Sequence, residues 1–307
     1  MFELRRVLVP TDFSSHAEAA LRLAVLMGAP YRAGITILHV DEFPVSPLGA
    51  LDVQGEELLA WRRREREETL ARLEVLREAF HDRPVTIETQ MKEGRAYKVI
   101  VEESERQEFD LIVMATRGHT SLSTSLIGST AERVVRLSRQ PVLSMQEARE
   151  NWKISSVLCP TDLSPSGNVA LSYALSMARQ YRATLYIQYI CELDHPEQES
   201  EIRSRLPNLQ EHHPEAGSVN VEWVFDRDVE PSNSIIRFAD DRDIGIIVMS
   251  THGRKGLRRV YIGNNTAEVV RQSTRPVLTV THPLHRRIFA RPVTQFSESP
   301  LRSAGGE

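Results

Sequence analysis

Short apolar runs alternate along the chain with segments of helical periodicity. The first apolar run, Val7–Pro10, is followed by Ala17–Met27, in which apolar residues recur three and four positions apart. The alternation continues through Gly34–Val40, Val85–Gln90, residues 95–108, Asp110–Ala115, Ala131–Leu137 and Val142–Met145. Continuous apolar strands separated by helices are typical of a parallel sheet that is covered on both faces. The third strand is polar and alternating, which predicts a place at the sheet edge.

The second half of the chain repeats the first. Residues 7–14 read VLVPTDFS and return as VLCPTDLS at 157–164, while IVMATRG at 112–118 returns as IVMSTHG at 247–253. The repeated elements are Val157–Pro160, Ala170–Arg179, Thr184–Ile190, Val219–Phe225, Ile235–Ala239, Ile244–Ser250, Thr266–Gln272 and Val277–Val280. The sequence therefore predicts two tandem flavodoxin-like or Rossmann-like doubly wound α/β domains, each with a five-stranded parallel sheet of order 3-2-1-4-5.

The predicted domains span residues 1–147 and 151–282 and are joined by Gln146–Asn151. Residues 283–307 have no periodicity, and we expect a disordered tail there. Copy one holds a longer segment between its second and third strands, because the offset between matching residues falls from 150 to 135. Its apolar stripe consists of Leu59, Leu70, Leu73, Leu76 and Phe80. Glu and Arg alternate around that stripe, which favours a solvated outer face over a helix that binds nucleic acid.

Composition and charge narrow the class of protein. The chain of 307 residues has 38 basic and 42 acidic side chains, so it carries no electrostatic footprint for nucleic acid or an anionic membrane. It shows neither a membrane span nor the pattern of a signal peptide. With two cysteines, Cys159 and Cys191, it is expected to be cytoplasmic. These cysteines end adjacent predicted strands, so we expect a reduced, packed pair with neighbouring sulfurs; a redox switch is the alternative.

The segments that the two copies share most closely converge on one crevice. In doubly wound sheets, ligands bind beyond the carboxyl ends of the strands where the strand order reverses, here between the first and fourth strands. The residues that end these strands in copy one are Pro10, Thr11, Asp12, Ala115 and Gly118. Their counterparts in copy two are Pro160, Thr161, Asp162, Ser250 and Gly253.

A glycine opens the helix that follows the fourth strand in both copies, as Gly128-Ser129 and Gly263-Asn264. Free backbone N–H groups and the positive end of the helix dipole make such a helix start a site for phosphate. The alternative interpretation is that these residues serve only as helix caps. The pairs that match the capping box are Ser129 with Glu132 and Asn265 with Glu268.

These motifs resemble the universal stress protein family over about residues 1–282. In that family the first strand ends in an Asp, and the loop after the fourth strand reads G-x2-G-x9-G-[S/T/N]. Copy one has Ala115-x2-Gly118-x9-Gly128-Ser129 and copy two has Ser250-x2-Gly253-x9-Gly263-Asn264, so the first glycine is replaced in both. A Cβ at that position weakens binding wherever the ligand approaches closely.

The resemblance implies ATP as the ligand. Carried over position by position, it implies that Asp12 and Asp162 contact the nucleoside end, and that the backbones of Val40 and Ile190 face adenine. The residues implied for ribose and phosphates are Gly118, Gly128, Ser129 and Thr130 in copy one, and Gly253, Gly263, Asn264 and Asn265 in copy two. Arg254 opens a basic loop that favours copy two as the binder, although a solvated loop is equally compatible with its charge.

The resemblance also implies pairing of the last strands, Val142–Met145 and Val277–Val280, as a pseudo-dimer within the chain. Pairing would bury two apolar edges, and a further homodimer of the whole chain is compatible with it. Walker A, G-x-G-x-x-G, G-x-S-x-G and H-E-x-x-H motifs are all absent from the sequence, so no dedicated catalytic centre is expected.

Two functions from different classes remain open on the sequence. The first is an ATP-binding stress-response or signalling module. The second is a nucleotide-free scaffold, or a small-lipid or metal-binding stress protein, that uses the same crevice. The candidate metal ligands in copy two are Cys191, His195, Glu211, His212 and His213. They lack recognised ligand spacing, which favours solvated loop histidines over a zinc site. We expect His39 to be a satisfied histidine at a strand end.

Overall fold

The structure, a computed structural model, describes residues 4–42, 56–118, 128–146, 152–191, 198–204, 214–251 and 263–281. The predicted linker residues 147–151 and tail 283–307 lie outside these ranges. The described strands are β1 (Arg6–Thr11), β2 (Gly34–Asp41), β3 (Thr86–Glu93), β4 (Leu111–Ala115), β5 (Val142–Met145), β6 (Ser156–Pro160), β7 (Thr184–Cys191), β8 (Val221–Arg227), β9 (Ile246–Ser250) and β10 (Val277–Val280). The described helices are α1 (Ser15–Gly28), α2 (Glu56–Glu78), α3 (Ala96–Arg106), α4 (Ser129–Leu137), α5 (Pro165–Tyr181), α6 (Gln198–Ser204), α7 (Pro231–Asp241) and α8 (Asn264–Gln272).

The described strands form a single sheet of order β3-β2-β1-β4-β5-β10-β9-β6-β7-β8. Within each half all neighbouring strands are parallel, in the order 3-2-1-4-5. The predicted fold class is confirmed, and β3 lies at an edge as its polar alternation indicates. Strand order reverses between β1 and β4 and again between β6 and β9, which places a crevice at each point.

Two apolar layers cover the sheet. The layer on one face includes α1, α5 and the buried Leu73 of α2, and it runs through both halves without a break. The layer on the other face includes α3, α4, α7 and α8. Both candidate phosphate-site helices, α4 and α8, therefore lie on the same face of the sheet. Among the described helices, none is long and apolar enough to cross a membrane.

The halves join through their last strands, as the family resemblance implies. Leu143 of β5 lies opposite Leu278 of β10 in an antiparallel pair, and neither side chain is exposed. Two hydroxyls cross the junction symmetrically: Ser144 Oγ donates to the Val277 carbonyl at 3.2 Å, and Thr279 Oγ1 donates to the Val142 carbonyl at 3.1 Å. Because both buried hydroxyls are satisfied, an apolar strand pair accommodates them.

The predicted apolar stripe of α2 is only half right. Leu73 is fully buried, and Leu76 and Phe80 pack against the same core. Leu59 and Leu70 are 62% and 44% exposed. A helix of 23 residues is about 35 Å long, whereas an eight-residue strand spans about 26 Å, so α2 is longer than the strands of its half. The charged face of α2 is exposed, as predicted.

Candidate functional site

Each half turns sharply after its first strand. In copy one the Phe13 amide donates to Thr11 Oγ1 at 3.0 Å. The Ser14 amide donates to Asp12 Oδ1, also at 3.0 Å. Phe13 has a φ of 63°, and these local bonds compensate for that left-handed backbone. Copy two repeats both bonds at 3.0 Å with Thr161, Asp162, Leu163 and Ser164. One oxygen of each Asp carboxylate is thus held by its own turn.

Asp12 lies directly against the loop that follows β4. A Cβ added at Gly118 would be 2.4 Å from Asp12 Oδ2, which is closer than real atoms approach. Any larger residue here would displace the Asp12 carboxylate, and the ends of β1 and β4 meet as the reversal of strand order requires. The counterpart in copy two, Gly253, lies outside the described residues, as does Arg254.

The starts of α4 and α8 are tied to the same loops. The Gly128 amide donates to the Thr116 carbonyl at 2.6 Å, and the Thr116 amide donates to the Met145 carbonyl at 2.8 Å. In copy two the Gly263 amide donates to the Thr251 carbonyl at 2.7 Å. The glycine that begins each helix is therefore positioned by the end of the fourth strand. A Cβ at Gly128 would lie 3.1 Å from the Thr116 oxygen, so a side chain would crowd this bond.

The capping-box prediction is wrong in both copies. The N-cap residues are Gly128 and Gly263, and neither helix start has a side-chain cap. Ser129 and Asn264 are instead the first helical residues, so the N-cap lies one residue before the predicted cap in α4 and two residues before it in α8. Asn265 follows inside the first turn, and Glu268 pairs with Arg271. The first-turn N–H groups remain oriented towards the crevice end of the sheet, where they suit an anion.

The predicted base end of each site also assembles at this edge. Val40 and Ile190 are half-buried at the ends of β2 and β7, on the face that carries α4 and α8. Pro10 is buried, and its counterpart Pro160 is half-buried. Thr130, in the first turn of α4, is half-buried as well. The described candidate residues of each copy thus lie on elements that meet at the same edge of the sheet.

The replaced motif glycines have ordinary strand geometry. Ala115 ends β4 in register with Met145, and Ser250 ends β9 in register with Val280. Copy two has one additional hydrogen bond, in which Thr266 Oγ1 donates to the Ser250 carbonyl at 2.9 Å. Copy one has no hydroxyl at the matching position. A Cβ at the first motif position is therefore compatible with this fold.

A buried polar network in copy two was missed by the sequence interpretation. Gln188 Nε2 donates to Ser234 Oγ at 3.1 Å, and the Ser234 hydroxyl donates to an Asp226 carboxylate oxygen. Burial acts to raise the pKa of Asp226, but the Ser234 hydroxyl, the Arg227 amide and the Arg237 guanidinium outweigh it and hold that pKa below its usual value. The available signal was a single Gln inside the apolar strand run TLYIQYI.

The predicted proximity of the two cysteines is wrong. Cys159 pairs in register with Ile187, and Cys191 lies four residues further along β7, about 13 Å away at the rise of a strand. Both are free and buried. Burial raises the pKa of Cys159 to about 12 and also raises that of Cys191. His39 is satisfied as expected, with Nδ1 2.9 Å from the Thr11 carbonyl.

No metal site is built from the part of the chain that the structure describes. Groups of three or more His, Cys, Asp or Glu side chains in ligating positions do not occur among those residues. Of the candidate zinc ligands, Cys191 is described and buried. The others, His195, Glu211, His212 and His213, lie outside the described residues.

The fold is that of a tandem doubly wound α/β protein, in which the strand order reverses once in each half. The profile of the universal stress protein family matches residues 3–145 and again residues 153–281, and the chain belongs to this family.

Relatives extend over one or both halves. A universal stress protein of Mycolicibacterium smegmatis is 25% identical over 295 residues, which cover 89% of this chain and 96% of that one. Universal stress protein MJ0531 of Methanocaldococcus jannaschii is 32% identical over 148 residues, or 48% of this chain and 84% of its own. A universal stress protein from Archaeoglobus fulgidus superposes with a TM-score of 0.70 at 21% identity, covering 91% of this chain and 97% of that chain. This last similarity shows that the two proteins share the same fold.

Proposed function

We propose that this tandem universal stress protein binds an adenine nucleotide, ATP, at the carboxyl edge of its sheet and acts as a stress-response or signalling module. The observation that carries the proposal is the convergence of Asp12 on Gly118 beside the uncapped start of α4. It brings a carboxylate that suits ribose hydroxyls next to backbone N–H groups that suit phosphates. These are the two ends of one nucleotide.

The proposed division of roles follows the geometry. Asp12 and Asp162 face the nucleoside, with Val40 and Ile190 at the base. The phosphate end is formed by the first turns of α4 and α8, where Ser129 and Asn264 are exposed. Gly128 and Gly263 leave room for a close approach of the ligand to the backbone. The proposed activity is binding, with nucleotide occupancy as the signal.

We further propose that copy two is the principal site. The basic loop that Arg254 opens carries four cations over residues 254–259, which favours a polyphosphate. Copy one has only neutral side chains at the matching positions, His119 being counted as neutral.

The first test is to titrate the full chain with ATP by calorimetry and to compare wild type with Ser129→Asp and Asn264→Asp. A carboxylate at the first helical residue stabilises the helix dipole but repels phosphate. Each variant is therefore expected to lose the ATP bound by its own copy while its melting temperature is unchanged or raised. Asn264→Asp is expected to remove the larger share of binding.

Asn220→Asp serves as the matched control, because it makes the same isosteric change at an exposed residue before β8, at the opposite edge of the sheet. It is expected to bind ATP as wild type does. If wild type binds no nucleotide at millimolar ATP, the proposal fails and a nucleotide-free scaffold becomes the better account. If both site variants bind as wild type does, the helix starts do not hold the phosphates.

A further inference from the structure

An unpartnered acceptor lies beneath the base end of copy two. Gln188 is fully buried, and its Oε1 has no hydrogen-bond partner among the residues that the structure describes. The other end of the amide is engaged, because Nε2 donates to Ser234 Oγ. Buried polar atoms are nearly always paired, so this oxygen calls for a donor that the described chain does not supply.

The network fixes which way the amide points. The Ser234 hydroxyl gives its single proton to Asp226, so Ser234 Oγ accepts from Gln188. A flipped amide would set two acceptors against each other at this position. The unpaired atom of Gln188 is therefore the oxygen, and its missing partner is an N–H or O–H group.

The acceptor belongs to the crevice by its position in the sheet. Gln188 pairs in register with Pro160, the last residue of β6, and the Thr161 amide donates to the Gln188 carbonyl at 2.9 Å. Ile190, two residues further along β7, lies on the same face. Gln188 thus forms the floor between two residues of the base end. Both Pro160 and Ile190 are only half-buried, so part of each side chain is accessible to solvent at this edge.

Copy one has no counterpart to this acceptor. Leu38 occupies the position of Gln188, in register with Pro10, and it is fully buried. Val99 occupies the position of Ser234 and packs in the apolar layer. The floor of copy one is therefore apolar, and the polar floor is particular to copy two.

We propose that Gln188 makes copy two selective for a nucleobase with an exocyclic amino group, by accepting a hydrogen bond from that group. This inference rests on the proposed nucleotide binding. Adenine carries the amino group at position 6, whereas a 6-oxo purine presents an acceptor there and leaves Gln188 Oε1 facing another oxygen. The base reaches the atom when the Ile190 side chain changes rotamer, since the Pro160 ring is fixed to its own backbone. Copy one, with Leu38, does not discriminate in this way.

The test compares ATP with inosine triphosphate in the Ser129→Asp background, in which only copy two binds. The background protein is expected to prefer ATP by about tenfold or more, and Gln188→Leu to weaken ATP by about tenfold while leaving inosine triphosphate within about twofold. The preference then disappears. Gln188→Met, which keeps the length of the side chain but removes the acceptor, is expected to behave in the same way.

Leu is already accepted at this position in copy one, so Gln188→Leu is expected to fold, and its melting temperature checks this. Leu38→Met is the matched control for a floor substitution in the other copy and is expected to leave the preference of copy two unchanged. Gln188 is only structural if Gln188→Leu leaves the ratio of the ATP and inosine triphosphate affinities unchanged. An equal loss of affinity for both nucleotides leads to the same conclusion. If the background protein binds neither nucleotide while wild type also fails to bind ATP, the proposed function itself falls.

Discussion

At the scale of single residues, the crevice of copy one depends on the absence of a side chain at Gly118. Gly118 has no Cβ, and a methyl group there would overlap the Asp12 carboxylate at 2.4 Å. Asp12 has little freedom to retreat, because its other oxygen accepts from the Ser14 amide. The glycine therefore allows a carboxylate and a loop backbone to share the narrow end of the site.

Gly118→Ala is expected to displace the Asp12 side chain and to weaken ATP binding by copy one by about tenfold or more, since the displaced carboxylate loses its place beside the ligand. The measurement is an ATP titration in the Asn264→Asp background. Gly34→Ala is the control, because its Cβ would lie at an ordinary 3.6 Å from the Arg5 carbonyl. Unchanged affinity in Gly118→Ala would show that Asp12 does not contact the nucleotide.

Cys159 shows how burial sets reactivity. Its side chain is inaccessible and its pKa is raised to about 12, so the thiol stays neutral at pH 8. In the Cys191→Ser variant, Cys159 is expected to react with a disulfide reagent at least about a hundredfold more slowly in the native protein than in denaturant. Rapid native labelling would instead indicate a reactive, exposed thiol. The denatured sample provides the internal control.

At the scale of elements, an ion pair links the edge strand to the following helix in both copies, with the charges reversed. In copy one Lys92 of β3 lies 3.5 Å from Glu103 of α3. In copy two the register places Asp226 of β8 where Lys92 stands, and its partner is Arg237 of α7 at 3.4 Å. Both halves therefore join this edge strand to the following helix by an ion pair, with opposite sign and from helix positions that differ by one residue.

Glu103 is expected to make stability depend on pH. The Arg106 guanidinium, the Gln107 amide and Lys92 hold the pKa of this buried carboxyl below its usual value against the opposing effect of burial. A carboxyl with a lowered folded-state pKa stabilises the fold above its unfolded pKa of about 4, and this contribution is lost as the pH falls through the folded value. Glu103→Gln is expected to cost about 1–2 kcal/mol at pH 7 and much less at pH 3.

Urea unfolding at both pH values measures this difference. Glu102→Gln is the matched control, because that neighbouring side chain is 62% exposed and its pairing with Lys98 contributes little. An equal loss for Glu103→Gln at both pH values would mean that the carboxylate charge is not the source of the stabilisation.

At the scale of the whole molecule, the halves share a sheet and a core. β5 and β10 join the two parallel sheets, and the apolar layer under α1 and α5 continues across the junction. Tyr181 donates from its hydroxyl to the Met27 carbonyl of the other half at 2.9 Å. Gln146, at the end of β5, donates to the Val270 carbonyl of α8 at 3.3 Å. Through these contacts, each half stabilises the other.

Leu278→Ala is expected to destabilise the whole chain in one cooperative transition. Leu278 is fully buried opposite Leu143, and truncation of such a side chain costs about 2–5 kcal/mol. Urea unfolding followed by circular dichroism is the measurement, with the partly exposed Leu137→Ala as the control. Two separate transitions, with only one of them shifted, would show that the halves unfold independently.

Much of the architecture follows from the sequence alone. The alternation of apolar runs and helical segments predicts the elements, because side-chain periodicity reflects which faces are buried. The duplication predicts the two halves, and the motif around Gly118 and Gly128 predicts where the crevice lies. The pairing of β5 with β10 was implied by the family resemblance, and the two apolar edges are consistent with it. These properties depend on residues close in the chain or on a repeated pattern.

Other properties were decided only by the tertiary structure. The N-cap of α4 is Gly128, whose amide donates a hydrogen bond to the Thr116 carbonyl outside the helix. The separation of Cys159 from Cys191 depends on the register of β6 and β7, which strand prediction does not supply. The buried acceptor of Gln188 depends on Ser234 being in hydrogen-bond reach across 46 residues. In each case the interacting residue is distant along the chain, so the local pattern of apolar residues does not predict the contact. Only the packed sheet brings the groups together.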